Sequence, residues 1–202
     1  MKKLLALALA GTMTLSLAAC GGSKADTTTA AETTETNDTA DAASTDGQTY
    51  TVGICQLVQH EALDAATQGF KDAIVEALGE DNVTFEEQNA SGDSATCATI
   101  INQLVSDNVD LILANATPAL QAAAQGTDTI PVLGTAVTEY GVALDIDNFD
   151  GLVGTNVSGT SDLAPLDQQA AMLNELFPDA KNVGLLYCSA EANSQYQVDT
   201  VQ

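Results

Sequence analysis

The stretch DLILANATPALQAAAQGTDTIPVLGT, Asp110 to Thr135, holds two short apolar runs on either side of an alanine-rich segment. Asp110–Ala114 (DLILA) is a brief, continuous apolar run and reads as a fully buried strand. Thr117–Gln125 reads as a short helix. Pro118 falls in its first turn, where a missing N–H is tolerated. Ile130–Thr135 (IPVLGT) is the next strand. Strand, helix, strand with short connections is the repeating unit of a parallel sheet.

The same unit extends toward the N-terminus. Thr49–Gln56 (TYTVGICQ) is a β-branched strand candidate. Residues 61–78 carry Leu63, Ala66, Phe70, Ile74 and Ala77 at helical spacing, with Gly79 at the stop. Val83–Gln88 (VTFEEQ) is a further strand. Asp93–Ser106 is a helix with Cys97, Ile100, Ile101, Leu104 and Val105 on one side. Toward the C-terminus, Val137–Asp150 shows no clear period, and Leu152–Asn156 (LVGTN) reads as a strand.

The pattern then restarts. Ser161 or Asp162 is placed to cap a helix bearing Leu163, Leu166, Ala170, Leu173 and Phe177. Pro165 falls in its first turn and Pro178 follows its end. Asn182–Tyr187 (NVGLLY) reads as another buried strand, and another helix begins near Ser189. The whole predicts an α/β protein with a doubly wound parallel sheet. Residues 49–158 supply enough strands for one lobe, and residues 159–202 supply the opening of a second. A single strand between two helices cannot bury both faces, so the expectation is a second lobe left incomplete, the front part of a longer protein.

The first 48 residues are of another kind. Met1, Lys2 and Lys3 precede an apolar run from Leu4 to Ala19, the layout of a signal peptide. Leu17-Ala18-Ala19-Cys20 resembles the bacterial lipobox. That resemblance implies cleavage before Cys20 and a diacylglycerol thioether on its sulfur, a stable membrane anchor once two or more acyl chains are present. Residues 21–48 are rich in Thr, Ala, Asp and Glu, without a bulky apolar side chain. Such a segment buries too little to offset its ordering entropy and is expected to be a disordered spacer.

Charge excludes whole classes of partner. Asp and Glu number 28 against 5 Lys and Arg, a net charge of -23. The cations are Lys2, Lys3, Lys24, Lys71 and Lys181, and there is no arginine. Nothing here can neutralise a phosphate backbone, so no nucleic-acid partner is expected. Beyond Cys20, the cysteines are Cys55, Cys97 and Cys188, widely spaced and odd in number. A Cys55–Cys188 bridge is conceivable in an exported chain, but buried free thiols are the favoured reading.

Enzyme signatures are poor. There is no phosphate-binding glycine loop and no GxSxG elbow, and the single histidine, His60, lacks a triad context. No cofactor and no metal are expected. Ligands of open α/β sheets bind at the carboxyl ends of the strands. Small polar residues cluster there: Gln56, Gln59 and His60; Asn89, Ser91 and Asp93; Asn115 and Thr117; Thr135 and Thr138. The restart adds Thr160, Ser161 and Asp162, then Ser189, Glu191, Asn193 and Ser194. Each also has a plainer role as a helix cap. Their convergence on one edge is what favours a binding cleft.

Several of these segments resemble one family. They are VGICQLVQHEALD (Val52 to Asp64), QNASGD (Gln88 to Asp93), ATPA (Ala116 to Ala119), TAVT (Thr135 to Thr138), GTSDL (Gly159 to Leu163) and EANS (Glu191 to Ser194). The resemblance, in order and over residues 49–202, is to the TrpX/TyrBP-like family of ABC transporter substrate-binding proteins. It implies a type I periplasmic-binding fold, two lobes closing on a ligand, and a small ligand of the aromatic amino-acid kind. ABC permease subunits would be the partners, and the extracytoplasmic face of the cell membrane the location. The chain differs from the family pattern at Thr138-Glu139-Tyr140 and at Tyr187-Cys188-Ser189-Ala190-Glu191. A ligand-sensing or adhesive surface lipoprotein without a transporter is the alternative, and an extracytoplasmic enzyme the third reading.

With an amino acid as ligand, the carboxylate needs a partner other than arginine. Lys71 lies within a helix and Lys181 after one, so both are expected away from the strand-end edge. Hydroxyls of Thr117, Thr135, Thr160 and Ser161 then become its candidates, together with N–H groups at helix starts. Asn193 and Ser194 would close from the other lobe, and Asp162 or Glu191 would meet the ammonium.

Overall fold

The computed structural model describes residues 47–202. The expected signal peptide, Cys20 and nearly all of the expected linker lie outside the described residues. No helix among the described residues is long and apolar enough to cross a membrane.

Five parallel strands form one sheet in the order β2-β1-β3-β4-β5. They are β1 (Tyr50–Gln56), β2 (Val83–Asn89), β3 (Leu111–Asn115), β4 (Val132–Val137) and β5 (Val157–Ser161). The helices are α1 (Glu61–Leu78), α2 (Ser94–Ser106), α3 (Thr117–Gly126), α4 (Tyr140–Leu144), α5 (Leu166–Leu176) and α6 (Ala192–Val201). The α/β class and the doubly wound parallel sheet are as expected.

Alternation along β1 and β3 divides the core between the two faces of the sheet. Val52, Ile54 and Leu113 form one cluster, with Phe70 of α1 packed against it. Cys55, Ile112 and Ala114 face the other way, into a larger cluster with Cys97, Ile101 and Leu104 of α2 and Leu120 of α3. Gly53 belongs to this second face. A Cβ there would come within 2.8 Å of Leu104 Cδ1, so a glycine lets α2 lie close on β1.

The polar breaks behave as local chemistry dictates. Asp93 caps α2 by accepting from the Ala95 and Thr96 N–H groups, and Thr96 Oγ1 donates to the same carboxylate at 2.7 Å. These bonds hold the Asp93 carboxyl below its ordinary value, the Thr96 hydroxyl first. α4, invisible to periodicity, is started by Glu139, whose carboxylate accepts from Gly141 N and Val142 N.

Three sequence expectations are corrected. The strand expected at Leu152–Asn156 lies instead at Val157–Ser161. Gly151 and Gly154 take positive φ, 96° and 74°, which breaks extended backbone before Val157. The helix expected to be capped by Ser161 or Asp162 begins only at Leu166, because Ser161 is still in β5 and the Asp162 N–H still bonds Val137 O. Asn182–Tyr187 forms no strand and is exposed, and Leu186 stands fully in solvent. Cys55 and Cys97 are buried free thiols, whereas Cys188 is free but exposed.

Candidate ligand-binding site

β1 has β2 on one side and β3 on the other, so the strand order reverses at the carboxyl ends of β1 and β3. That is where an open α/β sheet has its crevice. Gln56 and Asn115 are register partners at this point. Both are buried, with Thr67 of α1 beside them. Asn115 Nδ2 donates to Leu63 O and to Thr67 Oγ1, each at 2.9 Å. Thr67 Oγ1 donates to Gln56 Oε1 at 2.7 Å, and Gln56 Nε2 donates to Asp64 Oδ1 and to Val58 O. The crevice is thus filled by a polar network that pins α1 to two strands. Gln56, read from the sequence as a ligand contact, has its side chain committed to this network.

The carboxyl edge next to it is strained. Ser91, Ala116 and Ala136, after β2, after β3 and within β4, take φ of 55°, 88° and 52°. Ala116 pairs its φ with a ψ of 157°, a region that is essentially glycine's and costs about 1–3 kcal/mol for other residues. The strain sets Thr117 as the first residue of α3 and aims the Ala116 N–H at Thr135 O. Thr117 is 2% exposed, yet its Oγ1 has no hydrogen-bond partner. Its own N–H and that of Ala119 have no intrahelical acceptor, and Pro118 has no N–H. A buried hydroxyl and two free amides therefore share one helix start. Asn115 Oδ1, one residue before Ala116, is likewise buried without a partner. Thr135, half-buried, is the register partner of Asn115 on β4.

The other expected residues fall into separate groups. His60 is exposed and caps α1, with Nδ1 accepting from Ala62 N at 3.2 Å. Asn89 is exposed at the end of β2, and its Oδ1 accepts from Ser91 N. A groove of about 680 Å3 is lined by Gln56 and Asn89 together with Asp64, Thr67, Lys71 and Glu87. Lys71, expected away from the strand ends, thus lines the same groove as two expected contacts. It is held there by Glu87 Oε2 at 2.9 Å and lies 5.5 Å from the Phe85 ring centre. Asp64 and Thr67 escaped the sequence reading, and Lys71 was placed by it away from this edge. Their spacing of three and four residues, a polar stripe beside the apolar face of α1, was the available signal.

Thr160, Ser161 and Asp162 are exposed at the end of β5. Ser161 Oγ donates to Thr138 O at 2.8 Å and accepts from Leu163 N, so this hydroxyl clasps two loops. Beside it, Tyr140 Oη lies 3.0 Å from Gly134 O and 3.3 Å from Thr160 O. A phenol has one proton, so it serves one carbonyl fully or both partially. A Cβ at Gly134 or Gly159 would collide with this hydroxyl. Burial, and then the charge of Asp162, pushes the Tyr140 phenol up to about 12. At the start of α6, Ser194 Oγ donates to Glu191 Oε2 at 3.3 Å, and Asn193 Oδ1 is buried without a partner. The groove of Gln56 and Asn89 does not include Ser161, which lines a separate cavity with Tyr140. Among the described residues, no group of three or more His, Cys, Asp or Glu is placed to hold a metal ion.

Residues 51–202 match the family model described as ABC transporter substrate binding protein. The chain belongs to that family. It is 36% identical to the tyrosine-binding protein of Clostridioides difficile (strain R20291) over 99% of this chain and 56% of that protein. A Streptococcus pneumoniae ABC domain in complex with L-Trp is similar in structure, with a TM-score of 0.71, 35% identity, and coverage of 76% of this chain and 52% of that one. A ligand-free, open Clostridium difficile substrate-binding protein with adhesive properties gives a TM-score of 0.59 at 40% identity, over 75% and 52% of the two chains. The chain spans about half the length of these relatives. Together with the parallel sheet, they make the fold that of type I periplasmic-binding proteins.

Proposed function

We propose that this substrate-binding protein is the extracytoplasmic lipoprotein component of an ABC importer and takes an aromatic amino acid. The observation that carries the reading is the helix start at Thr117. A buried hydroxyl and free amides at the positive end of a helix dipole suit a carboxylate, and such hydrogen bonds contribute roughly 1.5–3 kcal/mol each. Thr135 lies on the neighbouring strand and completes this half of the site. The relatives named for tyrosine and bound to L-Trp favour an aromatic side chain.

The remaining parts follow the same reading. Residues 49–158 are the first lobe and 159–202 the start of a second, whose Glu191, Asn193 and Ser194 offer an acid, an amide and a hydroxyl. Thr160 and Asp162 stand at the crossing between them, where Asp162 can meet an ammonium. Gln56, His60, Asn89 and Ser161 shape the walls through the bonds described above. Residues 1–20 are a leader ending at a lipidated Cys20, residues 21–48 a spacer, and ABC permease subunits the partners.

The carboxylate assignment is tested by thermal shift with matched pairs. L-Tryptophan and L-tyrosine raise the unfolding midpoint, while tryptamine and tyramine, which lack the carboxylate, do not. Equal stabilisation by the amines would sink the assignment. The anchor is tested by fractionation: Cys20→Ser leaves the membrane fraction because the thioether cannot form, and retention after a high-salt wash would rule the anchor out.

A further inference from the structure

The strained edge that sets Thr117 has a brace outside the expected contacts. Tyr140 opens α4, where the Glu139 cap fixes the backbone, and only 6% of it is exposed. Its hydroxyl donates to Gly134 O at 3.0 Å and lies 3.3 Å from Thr160 O. Between Gly134 and Val137 the pairing of β4 with β5 shifts register, and Ala136 takes a φ of 52° within that shift. The hydroxyl therefore stands at the start of the irregularity, with a carbonyl of each strand beside it. Room for it exists because the register partners Gly134 and Gly159 both lack a side chain, and a Cβ on either would run into Tyr140 Oη.

Thr135 directly follows Gly134, and its carbonyl accepts from Ala116 N at 3.0 Å. Ala116, with φ 88° and ψ 157°, is the residue that sets Thr117 at the start of α3. Such backbone persists only where its surroundings over-determine it. The line of contact runs from the Tyr140 hydroxyl to the Gly134 carbonyl, along β4 to the Thr135 carbonyl, and across to the Ala116 amide. We propose that Tyr140 is a positioning residue for ligand binding: its hydroxyl locks the β4–β5 irregularity so that Thr135 O holds Ala116, and with it Thr117, in the binding arrangement. Tyr140 itself touches no ligand in this role. Its second neighbour, Thr160 O, ties the same lock to the end of β5.

The inference rests on the proposed function only for the part Thr117 plays, so its test has an arm without ligand. Tyr140→Phe in the whole chain removes one oxygen and keeps the buried ring. Amide exchange resolved by NMR is followed at Ala116 and, as a check on the fold, at Ile54 and Leu113. The expected result is exchange about tenfold faster at Ala116, well beyond any change at Ile54 and Leu113. A change at Ala116 no larger than that at Ile54 and Leu113 would overturn the proposal.

The second arm is a double-mutant cycle read by calorimetric titration of L-tryptophan or L-tyrosine. Tyr140→Phe weakens binding about fivefold in the parent and by a smaller factor in Thr117→Val, because its effect passes through that residue. An equal or larger factor in the Thr117→Val background is the mark of a merely structural role and would sink the proposal. A parent that binds neither amino acid defeats the functional reading alone, and exchange at Ala116 still decides whether the lock holds.

Discussion

The sheet region from Tyr50 to Val137 and the segment from Leu163 to Gln202 are written in the same alternating pattern, yet they end in different states. In the first, the interior side chains Ile54, Ile101, Ile112 and Leu120 are all fully buried. In the second, Met172, Leu176, Phe177, Val183 and Leu186 are exposed, and only Leu166 and Val198 are buried among the large apolar residues. The helices α5 and α6 form in spite of this, because helical hydrogen bonds are made within the segment. Asn182–Tyr187 does not form a strand, because a strand needs a neighbour to complete its ladder. Periodicity therefore specifies helices locally, but specifies strands only where the topology delivers a partner.

The contrast is broken most directly by truncating matched leucines. Leu120→Ala in the buried region costs about 3 kcal/mol of stability, the range of large-to-small core changes. Leu186→Ala, with a side chain already in water, stays within about 0.5 kcal/mol. Urea unfolding of both variants measures the difference, and a large loss from Leu186→Ala would mean that this segment packs against something. The next effect is smaller and concerns the crevice. Asn115→Ala removes the donor shared by Leu63 O and Thr67 Oγ1, and with it a tie between β3 and α1. A loss of about 1–3 kcal/mol is expected, again from urea midpoints.

Much of this was legible beforehand, for reasons that differ residue by residue. α1 was placed over the correct residues because an apolar stripe and a terminal glycine agreed. β3 was readable because LILA is short, apolar and flanked by polar residues. β5 lies five residues beyond the expected strand because Leu152 and Val153 look like strand interior, whereas the backbone turns at Gly151 and Gly154. At the site, Thr117 stood out as a hydroxyl after a buried strand. The strain at Ala116 that sets it in place was not legible, since alanine rarely takes that conformation. Gln56 was recognised as important, but its part in a crevice network depends on Thr67 and Asn115, far away in sequence. Lys71 was misjudged because helix membership alone says nothing of which wall a long side chain reaches.

The account turns on Thr117 as the carboxylate contact, and calorimetric titration of L-tryptophan or L-tyrosine into the protein as its cell makes it tests that most directly. Thr117→Val keeps the shape of the side chain and removes the hydroxyl. Lys71→Ala removes a cation that lines the neighbouring groove and is already paired with Glu87. The predicted result is binding about tenfold weaker or worse in Thr117→Val, with little change in Lys71→Ala. Unchanged binding in Thr117→Val together with a large loss in Lys71→Ala would contradict it, and would move the site to the groove between α1 and β2.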